Sequence, residues 1–229
     1  MTVLENIQRV MDDINSACLR AGRGVNDVRL MAVSKFQEMS LVEQAAEAGL
    51  RLFGESRVKE AAKKFTPWRE SRKEIELHLI GRLQRNKAAA AAALFDTIQS
   101  IDRIEIVKEL GRQTHDVRSL RLLFELNSGE ETKSGFTDED ALCRAVEAAL
   151  VFDSLKPCGL MTMAPFTSDE KPVREAFRRV VKTQARLRQL FPDCGWDCLS
   201  MGMSNDFTIA IEEGSTLVRI GTAIFGARY

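Results

Sequence analysis

Apolar residues recur along this chain at two different periods. Near the start, Leu4, Ile7, Met11, Ile14 and Cys18 step by three and four, the spacing of one helical face. Thr2 and Glu5 form a capping box ahead of that run, and Gly22 and Gly24 supply an exit, so a helix is expected over residues 2–21. Beyond it, short β-type apolar runs fall at 29–33, 50–53, 77–80, 97–99, 120–126, 158–163, 198–201 and 217–220. Helix-like stretches at 40–48, 57–65, 87–95, 104–113, 138–152, 173–190 and 206–213 lie between most of them. The alanine tract at 88–93 belongs to this set, because alanine has the highest helix propensity. Strands separated by helices imply right-handed crossovers and a parallel sheet. Eight such units favour an α/β fold closed into a (β/α)8 TIM-type barrel with an extra N-terminal helix.

Composition narrows the class without changing that picture. The 229 residues suit one barrel, and Pro, Gly and Ser fall at single turns rather than in a linker, so residues 1–229 are expected to form a single domain. Lys+Arg 33 against Asp+Glu 33 leaves no net charge, which argues against nucleic acid as a bulk partner. Glu5, Asp12 and Asp13 interrupt what would have to be the apolar core of a signal peptide, and no long uncharged run suggests a membrane span. Cys18, Cys143, Cys158, Cys194 and Cys198 lack CxxC spacing, and only His78 and His115 accompany them, so no metal site is expected. Idle thiols fit a reducing compartment, and a cytoplasmic location is expected. No exposed apolar stripe stands out, and a monomer is the expectation.

In a barrel of this kind, functional groups sit where strands end. Leu30-Met31-Ala32-Val33-Ser34-Lys35 places a lysine there, where scarce water favours the neutral, nucleophilic amine that attacks carbonyls. Ser200-Met201-Gly202-Met203-Ser204 runs as a small-residue loop into a helix, a setting that suits phosphate. Gly221-Thr222 adds accessible backbone and a hydroxyl after the eighth strand. Either loop alone reads equally as an ordinary glycine turn. Arg219 alternates with Val218 and Ile220, so it faces the barrel interior and needs a ligand or a carboxylate partner there. His78 reads as a hydrogen-bonded packing residue, and the basic stretch Arg82–Lys87 as a solvated helix start.

These segments occur in one order with Phe53-Gly54-Glu55, His78-Leu79-Ile80-Gly81, Gln84-x-Asn86-Lys87, Lys133-Ser134-Gly135 and Gly159-Leu160-Met161. Leu199-Ser200-Met201-Gly202-Met203-Ser204 and Val218-Arg219-Ile220-Gly221-Thr222-Ala223-Ile224-Phe225-Gly226 complete the series. Together they resemble the pyridoxal phosphate homeostasis protein family (YggS/PROSC type) over nearly the whole chain. The resemblance implies the barrel of the alanine racemase N-terminal domain, with pyridoxal 5′-phosphate (PLP) held on Lys35 as an internal aldimine. It implies that Ser204 and the backbone of Met203, Gly221 and Thr222 hold the phosphate, that Arg219 faces the pyridine nitrogen, and that Ser200 and Met163 join the cofactor site. A guanidinium can only donate to that nitrogen, which leaves the ring a poor electron sink.

Three departures accompany the resemblance. Ser56 stands where the family commonly has asparagine, and Met163 stands where racemases pack a histidine on the ring. Racemases also take a tyrosine from a second domain, whereas no second domain is expected here and the only tyrosine is the terminal Tyr229. The resulting expectation is a PLP-binding homeostasis protein that buffers the cofactor or delivers it to apo-PLP enzymes, without robust catalysis and with no catalytic residue assigned. The alternatives are a PLP-dependent amino-acid racemase and a Schiff-base aldolase acting on a sugar phosphate; the latter gives no reason for Arg219.

Overall fold

In the computed structural model, which describes residues 2–114, 119–129 and 134–226, eight parallel strands close on themselves in chain order. The strands are β1 Arg29–Val33, β2 Leu52–Glu55, β3 Glu76–Leu79, β4 Thr97–Ile101, β5 Leu120–Leu126, β6 Leu155–Thr162, β7 Cys198–Ser200 and β8 Leu217–Ile220. Closure is made by β8 against β1, with Met31 beside Arg219 and Ala32 beside Ile220. The helices are α1 Val3–Arg20, α2 Met39–Glu47, α3 Val58–Ser71, α4 Ala88–Leu94, α5 Ile104–Gln113, α6 Glu139–Leu150, α7 Glu170–Leu190, α8 Phe207–Glu212 and α9 Thr222–Phe225. The expected (β/α)8 barrel with an N-terminal helix is the observed architecture. Lys133, His115 and Tyr229 lie outside the described residues.

Strand alternation divides the core in two. Ala32, Phe53, Leu77, Ile98, Leu160, Val218 and Ile220 point outward into the main apolar cluster beneath the helices. Met31, Leu52 and Leu217 point inward and form a small separate cluster. The extra helix α1 carries the capping box, with Glu5 N–H donating to Thr2 Oγ1 (3.2 Å) and Thr2 N–H to Glu5 Oε2 (2.8 Å). It covers the α8–α9 flank, where Asn6 donates to the Ile224 carbonyl at 2.9 Å. Its buried face uses Val3 and Val10 in place of Leu4, which is 62% exposed.

Several boundaries differ from expectation, three of them for clear reasons. β2 begins at Leu52 rather than residue 50, because Leu50 completes the end of α2. Its N–H donates to the Ala45 carbonyl and Gly49 N–H to Ala46, a Schellman closure that needs Gly49 at φ +99°. Consequently Gly54 and Glu55 belong to the strand and not to the following loop. α3 continues past Pro67 because Trp68 packs edge-on against Phe53 and Phe65, with ring centroids 5.9 and 5.7 Å away. β6 starts at Leu155 rather than residue 158 and absorbs Pro157 at a bulge opposite Leu122 and Leu123.

Candidate functional site

A cavity of about 910 Å³ opens at the C-terminal ends of the strands, where a barrel of this type carries its functional groups. Lys35, Met163 and Met203 lie on its wall, together with Ser204, Arg219, Gly221 and Thr222. Seven of the eight residues expected at the site therefore converge there. Ser200 is the eighth: it is fully buried and stands behind the wall, bonded to Arg219. Ser56 also reaches the wall.

The segment carrying Lys35 is held from outside the barrel. Ser34 points away from the cavity, and its hydroxyl donates to Glu55 Oε1 at 2.8 Å. Lys64 Nζ on α3 donates to the Ser34 carbonyl at 2.8 Å and pairs with Glu55 at 2.6 Å. Burial raises the pKa of Glu55, with Lys64 and Ser34 opposing the shift. Phe36, immediately after the lysine, adopts φ +62°, a left-handed conformation uncommon for a bulky residue. Its N–H donates to Glu60 at 2.6 Å, and the Arg57 guanidinium lies 4.9 Å from its ring centroid.

The two loops expected to bind an anion do meet. Ser204, after β7, accepts from the Ala223 N–H at 3.4 Å, which ties its loop to the start of α9. Gly202 holds φ +93° in the same loop, and its carbonyl accepts from Arg219 N–H at 3.0 Å. The Met203 N–H, expected to face a phosphate, instead donates to Asp206 Oδ1 at 2.6 Å, which leaves Ser204 as this loop's main donor. Gly221 lies against Val33, where an added Cβ would sit 3.4 Å from the Val33 carbonyl oxygen.

Arg219 is 4% exposed and faces inward, as its alternation predicted. Its Nη1 donates to the Ser200 carbonyl (2.6 Å) and hydroxyl (2.8 Å), and Nη2 to the Thr162 carbonyl (2.8 Å). Burial lowers its pKa to about 10, still well above neutrality, so the guanidinium remains a cation.

Sequence reasoning missed Glu125. This carboxyl lies on the wall, 3% exposed, and accepts from Ser134 at 2.7 Å. Burial raises its pKa, against the pull of Ser134. The available signal was a charge in an apolar strand on the same alternation face as Leu123, two residues on from it, although Arg121 also lies in that strand. The basic stretch after β3 is only partly the solvated surface expected: exposed Arg85 pairs with Glu109, whereas Arg82, paired with Asp102, also lines the cavity. Among the described residues no group of His, Cys, Asp or Glu could hold a metal ion, and no helix is long and apolar enough to cross a membrane.

Residues 6–229 match the family described as alanine racemase, N-terminal domain. The pyridoxal phosphate homeostasis protein of Aquifex aeolicus is 37% identical, over 100% of this chain and 99% of that one. Its counterpart in Pseudomonas aeruginosa is 40% identical, over 99% of this chain and 96% of its own length. Among solved structures, PipY of Synechococcus elongatus with PLP bound superposes with a TM-score of 0.84 at 31% identity, covering 98% of this chain and 100% of PipY. The chain belongs to the pyridoxal phosphate homeostasis protein family, on the barrel of the alanine racemase N-terminal domain.

Proposed function

We propose that this protein binds PLP at the C-terminal cavity and serves PLP homeostasis, holding the cofactor and buffering or delivering it without robust catalysis. The observation that carries the reading is the convergence of Lys35, Arg219 and the Ser204–Gly221–Thr222 loops on one cavity wall. These residues fit the group chemically. A lysine amine, a buried guanidinium and a cradle of hydroxyls and backbone N–H groups match an aldehyde, a pyridine nitrogen and a phosphate.

PLP, when bound, supplies a reactive aldehyde and a ring able to withdraw electrons. Lys35 presents its amine as the covalent tether. Ser204 and Thr222 offer hydroxyls at the phosphate end, and the backbone at Gly221 and Thr222 leads into α9, whose next N–H groups bond Ser204 and the Gly221 carbonyl. Met163 supplies a polarizable apolar surface for the ring but no titrating group. Arg219, a cation at neutral pH, can only donate, so it keeps a facing ring nitrogen unprotonated and dampens carbanion chemistry. That restraint supports a carrier over an enzyme. Delivery to apo-PLP enzymes, a monomeric state and a cytoplasmic location complete the reading.

The test is titration of the protein with PLP, followed by incubation with single amino-acid enantiomers. A saturable visible band with negligible racemisation is expected. Robust racemisation abolished by Lys35→Ala would establish a racemase instead, and absence of any bound PLP would end both readings.

A further inference from the structure

Barrels of this type fill their interior with branched apolar side chains. Beneath this cavity the filling is polar. His78 on β3, Gln99 on β4, Ser200 on β7 and Arg219 on β8 are 2%, 0%, 0% and 4% exposed. Polar groups so deep are costly unless every one finds a partner, and here they find one another.

The direction of each bond is fixed by chemistry. Arg219 Nη1 donates to Ser200 Oγ (2.8 Å), and Ser200 Oγ donates to Gln99 Oε1 (2.7 Å). The Gln99 amide nitrogen can only donate, so His78 Nδ1 accepts from it at 2.8 Å. The other imidazole nitrogen therefore carries the hydrogen and donates to Glu76 Oε1 at 2.6 Å. Glu76 lies at the opposite end of β3 from the cavity, where Arg29 (2.5 Å) and Arg121 also contact it. The chain runs one way, from the guanidinium to an anchored carboxylate.

We propose that Gln99 and His78 are positioning residues for Arg219, acting through Ser200 to lock the guanidinium in one orientation. Three of the five N–H groups of Arg219 are taken up by Ser200 and Thr162, which leaves two for the cavity. The relay makes that division permanent by supplying Ser200 with an acceptor for its own proton. With its proton committed to Gln99 Oε1, the Ser200 hydroxyl is held in one orientation that keeps a lone pair on Arg219 Nη1. The consequence for PLP rests on the reading of the cavity as its site.

Two measurements on the full chain test this. In the apo protein with ¹⁵N-labelled histidine, His78 is expected to show a protonated Nε2 and a bare Nδ1, assigned with His78→Gln. Ser200→Ala, two links away, is expected to move both His78 resonances. A protonated Nδ1, or His78 resonances unmoved by Ser200→Ala, would overturn the relay. With PLP, Gln99→Met is expected to bind roughly tenfold more weakly and to shift the visible band, as loss of a hydrogen bond supporting a charged group does. Gln99→Glu keeps the acceptor for Ser200, so it is expected to retain the wild-type band while converting His78 to imidazolium. Wild-type affinity and band in Gln99→Met would sink the proposal, and if that variant does not fold, Ser200→Ala is read in the same way. Failure of wild-type protein to take up PLP would end the functional reading alone, with the histidine spectra still deciding the relay.

Discussion

Lys64 and Glu55 form an ion pair 2.6 Å long on the outer side of the barrel wall, and both also hold Ser34, the residue before Lys35. Lys64 is 12% exposed and Glu55 fully buried. The pair is thus poor value as a source of stability by itself, since desolvation consumes much of the attraction. Its product is the fixed position of the strand end from which Lys35 projects.

Breaking that pair from one side leaves a charge stranded. Lys64→Met is expected to lower unfolding stability by about 3 kcal/mol, because Glu55 loses its cation while remaining buried. Urea unfolding monitored by tryptophan fluorescence reads the change. A loss under about 1 kcal/mol would mean that water reaches Glu55 freely.

Phe36 separates backbone strain from side-chain packing. Its φ of +62° suits glycine, and a β-branched residue there is a steric outlier. Phe36→Gly is expected to change stability by less than about 1 kcal/mol, relief of strain offsetting the lost ring contact with Arg57. Phe36→Val is expected to cost at least about 1 kcal/mol more than Phe36→Gly. Equal stability of the two variants, measured by thermal melting, would show that the left-handed turn is not enforced.

Gly202 carries a second demand of this kind. At φ +93°, a Cβ would approach the Phe207 Cα to 2.8 Å and the Ala210 Cβ to 2.7 Å. Gly202→Ala is expected to cost about 2 kcal/mol and to weaken PLP binding by displacing Ser204. Calorimetry and a PLP titration check the two halves of that expectation separately.

Acid should weaken the fold through His78. Burial lowers its folded pKa, although Glu76 opposes the shift; Arg29 and Arg121 face the same carboxylate, and Gln99 faces the second nitrogen. A depressed histidine contributes stability that is full above its unfolded pKa of about 6.5 and is lost as pH falls below it. Burial alone would raise Glu76, but hydrogen bonds from His78 and Arg29 hold it below the usual carboxylate range. Its contribution persists until pH drops below about 4.3. Between pH 7 and 5 the stability should therefore fall by up to about 1.4 kcal/mol per pH unit from His78, and His78→Gln should flatten that slope. Melting curves across this range decide it, and an unchanged slope in the variant would remove His78 as the source.

Much of this was legible from sequence. The largely apolar runs of β1, β5 and β8 gave their boundaries directly, and inward alternation alone placed Arg219. Leu50 misled because an apolar residue capping a helix looks like the start of a strand. The helix expected over 57–65 runs on through Pro67 to Ser71, where Trp68 packs on Phe53 and Phe65. The Ser34–Glu55–Lys64 clamp and the His78–Gln99–Ser200 relay were out of reach. Each joins residues from separate elements, and their contact depends on how the barrel closes.

The central claim is that Lys35 is the tether for PLP. The most direct measurement is borohydride reduction of the PLP-loaded protein followed by peptide mass spectrometry. The account predicts a single stoichiometric pyridoxyl group on the peptide containing Lys35, absent in Lys35→Ala. A modification spread over surface lysines, or one that persists in Lys35→Ala, would contradict it.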